Sequence, residues 1–417
     1  MSKKEFLKTY AKISNGAELS LPIVEINTQA AEFPVDKENY VNCSFKISNT
    51  ENSKYDFERS MASSYDSNGG VGIRLRGNAT LNYPKKPFRI KFNEKTSVLG
   101  MEKNKSWVLL ADYSDKSRIL NYAGFTLAGM FDSLEFTPTP NHVVLFVNDC
   151  YQGLYLLTEQ IDANKGRVDI KESPENGEVP FLAELTIPVR AHEIDDVNMC
   201  VDIQSRTFAE LKYPEAKDLD NELAFQDARD YVEKYLQAMW VSLSDGQAYF
   251  DGESMSFDEL VDLDNLIDYF LVNKIMLNGD SMHRSTYIYK KVGEKAKFGP
   301  VWDFDGFDDD VESFGMLTYA NAPVLTKLLL SNPEYYQKIC NRYKEIESSI
   351  DLLIAKLNSY KNTIGFVAEI DLEFWYADAG LFEQSYEYIL EKLGQRKAYL
   401  SRVFNLSHSE FMALLEQ

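Results

Sequence analysis

The hydrophobic rhythm of the chain changes about half-way along it. In the first part, apolar and polar residues alternate in short runs: LPIVEIN from Leu21, VNCSFKI from Val41, VGIRLRG from Val71, PFRIKF from Pro87, and the pair HVVLFVN and YQGLYLLTE. Side chains on a strand point alternately to opposite faces, so this period of two predicts strands with one face on a core. Asn148 and Asp149 separate the last two runs and predict a hairpin turn. A helix from about Ser117 to Phe131 interrupts the strands. After roughly residue 220 the spacing becomes helical, with long segments near 221–243 and 257–278 and several more from 322 to the end. One hairpin breaks that half: STYIYKK, a Val-Gly-Glu-Lys turn, then KFGPVWDFD. No internal repeat and no long Pro, Gly or Ser linker divides the chain, so an α+β fold of two lobes sharing a cleft is expected.

Composition narrows the function classes. The 417 residues include 44 Lys plus Arg against 65 Asp plus Glu, a net charge of −21, with 44% hydrophobic and 13% aromatic residues. That many apolar side chains exclude disordered and fibrous chains, and the acid surplus repels nucleic-acid phosphate while suiting basic partners. The apolar runs fall short of the roughly 18 residues of a membrane helix, and the start, MSKKEFLKTYAKISNG, lacks the apolar core of a secretory leader. A soluble chain with no membrane span is therefore expected, secreted only if a leader was removed. Cys43, Cys150, Cys200 and Cys340 are scattered, as are His142, His192, His283 and His408, so neither a zinc site nor a disulfide framework is suggested. No Gly-x-Ser-x-Gly elbow or Gly-x-x-x-x-Gly-Lys phosphate loop is present.

Three segments carry candidate chemistry. From Val71 to Asn93 the chain holds Arg74, Arg76, Lys85, Lys86, Arg89 and Lys91 and no acid. Alternation puts Arg74 and Arg76 on one face, and Arg89 and Lys91 opposite Phe88, Ile90 and Phe92, so two neighbouring strands could present cations together. Such a surface suits a polyphosphate, although a solvated sheet face paired with acids elsewhere is the plainer reading. The second segment begins at Ser256, which has capping-box spacing with Glu259 at the head of a helix that Gly279 is expected to stop. Asp280 follows directly, where a helix's negative end makes a carboxylate a readier proton acceptor; a surface Asp in a turn beside Arg284 is the alternative. The third is WDFDGFDDD from Trp302. In an extended segment Asp303 and Asp305 would project to one side with Phe304 anchored opposite, and a hard cation such as Mg²⁺ suits two converging carboxylates. Asp308 to Asp310 read as solvated loop, and the calcium-loop spacing with a twelfth-position Glu is absent. Cations for phosphate, a free carboxylate and a metal-holding pair are the parts needed for phosphoryl transfer. The ordinary kinase signatures, His-Arg-Asp, Gly-x-Gly-x-x-Gly and Asp-Phe-Gly, are missing.

IRLRGNAT followed by YPKKPFRIKF, SWVLLADYSDKSRILN, YQGLYLLTEQID, LKYPE from Leu211, NGDSMHRSTYIYK and GPVWDFD together resemble the CotH family, the atypical, spore coat protein H type of kinase. The matches run from about residue 20 to 345. The resemblance implies a divergent protein-kinase-like two-lobed fold, with residues 1–20 as an N-terminal extension, 21–160 as a strand-rich nucleotide-binding lobe and 161–417 as a mainly helical catalytic lobe. It implies ATP and Mg²⁺ as cofactors, with Mn²⁺ as a substitute, and transfer to Ser, or Thr, of a basic or Ser-rich protein such as a spore coat or surface protein. The location stays open: cytoplasmic or spore coat for a chain that starts without a leader, secreted if one was removed. Position by position, Asp280 matches the catalytic Asp and Asp303 the metal-binding Asp, with Asp305 as second ligand. Lys86 and Lys91, with Arg74 or Arg76, would meet ATP phosphates, and Glu159 is placed near the nucleotide. Where a kinase-like loop often supplies a metal-binding Asn five residues after the catalytic Asp, this chain has Ser285. Two rival readings stay open: a kinase-like enzyme that transfers AMP or an amino acid, and an inert binding or assembly module.

Overall fold

A computed structural model of the chain describes residues 1–175, 177–186, 200–204, 207–313, 324–378 and 380–415. His192 and the first residues of the helical stretch expected from 322 fall outside them. The alternating segments form β1 (Ile23–Thr28), β2 (Val41–Ser48), β3 (Phe57–Arg59), β4 (Val71–Leu75), β5 (Phe88–Thr96), β6 (Asn104–Leu110), β7 (Asn141–Val147) and β8 (Cys150–Glu159). Asn148 and Asp149, with φ of 52° and 57°, make the tight turn between β7 and β8; Asn and Asp tolerate this left-handed conformation better than most residues.

Neighbouring strands follow the order β1-β7-β8-β6-β5-β4-β2-β3, and β1 pairs with β2 as well. Strand β1 runs antiparallel to β2 through Ile23 and Ser48, and parallel to β7 through Ile23 and Val144. Seven strands therefore close into a barrel, with β3 as a further strand on β2. Closure removes the free edges that an open sheet must protect. Ile26, Phe45, Ile73, Ile90, Trp107, Leu145 and Tyr155 belong to one apolar cluster that these strands share.

The closed barrel overturns the expected protein-kinase-like two-lobed fold. A period of two is identical for a strand in an open sheet and one in a barrel; closure depends on which edges meet, and here β1 pairs both with β2, the next strand, and with β7, more than a hundred residues away.

The chain divides into two units. The first comprises Met1–Ala123, Pro138–Gln160 and Leu353–Glu391, and the second Gly124–Thr137, Ile161–Leu352 and Lys392–Gln417. All barrel strands lie in the first. There Asp371, wholly buried, accepts hydrogen bonds from Lys85 Nζ at 3.1 Å, Arg118 Nε at 2.7 Å and the Leu154 amide at 2.9 Å. Two cations and an amide answer one carboxylate, the condition under which a buried charge is tolerated.

The second unit holds a five-stranded sheet in the order β10 (Cys200–Gln204), β11 (Thr207–Tyr213), β9 (Phe181–Thr186), β14 (Thr286–Lys290), β15 (Lys297–Phe298), and a small hairpin of β12 (Ala248–Phe250) and β13 (Glu253–Met255). The helix expected over 257–278 is two helices, Phe257–Leu260 and Leu263–Ile275. Between them Val261 is extended, with φ −120° and ψ 137°, because it bridges to Ala296, whose amide donates to Leu260 O at 2.8 Å. The capping box of Ser256 and Glu259 is formed, but it serves the one-turn helix; the Asp262 side chain caps the longer one by accepting from the Asn265 amide at 3.1 Å. Among the described residues, no helix is long and apolar enough to cross a membrane.

Candidate functional site

In the second unit, helix Leu263–Ile275 stops earlier than Gly279. Met276 caps it, and Leu277, at φ 52°, makes the left-handed turn that glycine was expected to make. The chain then runs beside the segment after Trp302. The Gly279 amide donates to Gly306 O at 3.1 Å, the Asp308 amide donates to Leu277 O at 2.8 Å, and Asn278 bridges to Phe307. This short ladder brings Asp280 to the turn that carries Asp303 and Asp305. A Cβ on Gly306 would lie 3.2 Å from Asp280 Cγ, so the absence of a side chain there gives the carboxylate its room.

Asp280 is partly exposed, its amide donates to Asn278 Oδ1 at 3.2 Å, and its Oδ1 accepts from the Arg284 guanidinium. Asp303 Oδ2 accepts from Ser285 Oγ at 2.8 Å. The expected extended geometry does not hold: Asp303 sits at φ 64° in the left-handed region, and Phe304 and Asp305 are in a turn. The anchoring of Phe304 does hold. It is fully buried, meets Phe125 edge-on at 5.8 Å, and lies so close to Gly124 that a Cβ there would stand 2.3 Å from its ring. A packed Phe304 therefore keeps a strained Asp303 in place, the kind of over-determination that lets an unfavourable backbone conformation persist.

The basic residues lie in the first unit. Strands β4 and β5 are neighbours, with Arg74 directly opposite Arg89 and Gly72 opposite Lys91. Tyr40 lies beneath two of these cations, Arg74 at 4.8 Å and Lys91 at 5.5 Å from its ring centre. Like charges facing each other across a ladder are destabilising, so this face favours an anion. Arg76 follows β4 and donates its amide to Pro87 O at 3.1 Å. Lys86 Nζ donates to Leu81 O at 2.6 Å. Glu159 is buried at the end of β8, and its carboxylate accepts from the Thr139 amide at 2.7 Å and from Thr139 Oγ1 and Thr158 Oγ1. The structure thus gathers Asp280, Asp303 and Asp305 in one unit and Arg74, Arg76, Lys86, Lys91 and Glu159 in the other.

The sequence profile of the CotH kinase protein family matches residues 73–400, most of the chain and all eight of these candidate residues. The chain belongs to the CotH family. No curated protein matches it. Membership carries the kinase description at the level of the CotH family.

Among the described residues of this CotH chain, no group of three or more His, Cys, Asp and Glu is arranged to hold a metal. Mg²⁺ is usually held by one or two carboxylates with substrate phosphates and water completing its octahedron, so Asp303 and Asp305 fit that donor set and a closed zinc-type cage is not needed. Two participants were illegible in the sequence as parts of a site: Gly306 reveals itself only by its approach to Asp280, and Tyr40 by its place under Arg74 and Lys91. Ser285 was singled out by its spacing from Asp280, but its hydrogen bond to Asp303 was not. The like-charged pair of Arg74 and Arg89 had a signal, the acid-free basic stretch, but not its register.

Proposed function

We propose that this chain is an ATP-dependent protein kinase that uses Mg²⁺ and phosphorylates Ser, with Thr as a second acceptor, on a basic or Ser-rich protein. The observation that supports it most is the ladder from Leu277 to Asp308, which holds Asp280 against the turn bearing Asp303 and Asp305. In this reading Asp280 accepts the proton of the substrate hydroxyl, and Arg284, which now donates to that carboxylate, orients it. Asp303 and Asp305 hold the metal, with Ser285 fixing the rotamer of Asp303. Bound Mg²⁺ would neutralise charge on the transferring phosphoryl group. Arg74, Arg76, Lys86 and Lys91 neutralise phosphate oxygens, Glu159 lies near the nucleotide, and the net charge of −21 favours a basic substrate.

Incubation with radiolabelled Mg-ATP and a Ser-rich basic protein tests this. Label should appear on Ser with a mass gain of one phosphate, and Asp280→Ala and Asp303→Ala should each abolish it while circular dichroism stays unchanged. A mass gain of AMP would make the chain a different transferase. Absence of both label and any thermal shift with Mg-ATP would make it an inert module, since a ligand at 100 times its Kd adds about 2.7 kcal/mol of stability.

A further inference from the structure

Behind the Asp280 loop, within the second unit, lies a small, half-open pocket of about 10 Å³, room for one particle of water size. Its lining includes Lys274, Asn278, Gly279, Asp308, Ser313 and Arg396. Lys274 is only 2% exposed, and its Nζ has no hydrogen-bond partner. An ammonium group with three donors and no acceptor is an expensive thing to bury. Arg396, wholly buried, donates through Nε to Lys274 O at 2.8 Å and through Nη1 to Val311 O. It thereby joins the end of helix Leu263–Ile275 to the segment that follows the Asp303 turn.

We propose that this cavity is a binding site for one monovalent anion of halide size, held by Lys274 and Arg396. Two cations and one carboxylate, Asp308, line it, which leaves one positive charge in excess. That excess exists only while Lys274 keeps its proton. Burial, and then repulsion from Arg396, pushes Lys274 down to about 7, and burial pushes Arg396 down to about 10. Asp308 and the carbonyl end of the helix oppose an anion, so the affinity is modest. A halide is larger than a water molecule, and the open side of the pocket leaves it the extra room. Its occupancy would firm the backbone that positions Asp280 and the Asp303 turn. This inference does not rest on the kinase reading, because its readouts are ion binding and stability.

The test compares thermal midpoints in sodium chloride, sodium bromide and sodium gluconate at one ionic strength and at one pH below that at which Lys274 loses its proton. Chloride and bromide should raise the midpoint above gluconate by about 2–4 °C, saturably. Lys274→Met should lose this halide increment, and Lys4→Met, at an exposed position, should keep it. Because Lys274→Met could fail to fold, bromide-soaked crystals of the unaltered chain give a second measurement, with an anomalous peak expected beside Lys274 Nζ. Equal midpoints in chloride and gluconate, or an ordinary water in place of the bromide peak, would overturn the proposal.

Discussion

A methyl group at Gly306 would stand 3.2 Å from Asp280 Cγ, tighter than carbon atoms normally approach. Either the carboxylate or the turn must shift by a few tenths of an ångström, and a proton acceptor is sensitive to such shifts. Gly306→Ala should therefore lower the initial rate of labelling by roughly 10-fold while leaving the urea midpoint nearly unchanged. Asp371 makes the contrasting case. Its carboxylate is wholly buried between Lys85 and Arg118, and a Cβ on Gly153 would lie 2.0 Å from its Oδ1. Asp371→Asn leaves two buried cations without their anion and should cost about 3–5 kcal/mol in urea unfolding. The two substitutions separate chemistry from stability: the first should show in rates, the second in denaturation.

At the scale of elements, local signals were accurate where a few neighbouring residues decide. Asn148 and Asp149 do form the hairpin turn, and Ser256 does form its capping box with Glu259. The length of an element was less legible, because tertiary pairing competes with propensity. Val261 leaves the helix to bridge Ala296, and so the cap that matters for the long helix is Asp262, not Ser256. Asp262→Ala should cost about 1 kcal/mol in a urea titration, and Ser256→Ala clearly less, since it caps a single turn. Equal losses would mean that the two helices melt as one. The same competition moved the helix stop from Gly279 to Leu277, where the backbone is drawn toward Asp308.

For the whole molecule, two buried titratable groups of the first unit act against each other in acid. Burial, then the nearby Asp115 carboxylate, pushes Asp112 up to about 6 from an ordinary 3.8. The folded chain therefore binds this proton more readily than the unfolded one, and Asp112 adds stability as pH falls from about 6 toward 4. Burial drives His142 the other way, from 6.5 down to about 3. Its Nε2 must donate to Arg118 O, since a carbonyl only accepts, which leaves Nδ1 to accept from Tyr360 OH, both at 2.9 Å. That neutral form stabilises the fold above the ordinary His value, and its contribution is lost as pH falls toward 3. Stability followed by urea unfolding between pH 7 and 4 should thus fall more steeply with acid in Asp112→Asn, and less steeply in a folded His142→Gln, than in the unaltered chain.

What the sequence determined by itself were the quantities that neighbouring residues set: strand and helix periods, the hairpin turn, the acid-free basic stretch in an acidic chain, and the ordered motifs that mark the CotH family. The faces followed as well, since Ile73, Ile90 and Phe92 join the core while Arg74 and Arg89 occupy paired positions between them. Only the tertiary structure decided that β1 closes the sheet into a barrel, that Leu277 and Asp308 set Asp280 beside Gly306, and that Asp371 answers Lys85 and Arg118. Periodicity encodes which way a side chain points along its own strand or helix. Which remote segment it then meets depends on the packing of the whole chain, and that information is spread over residues that no local pattern connects.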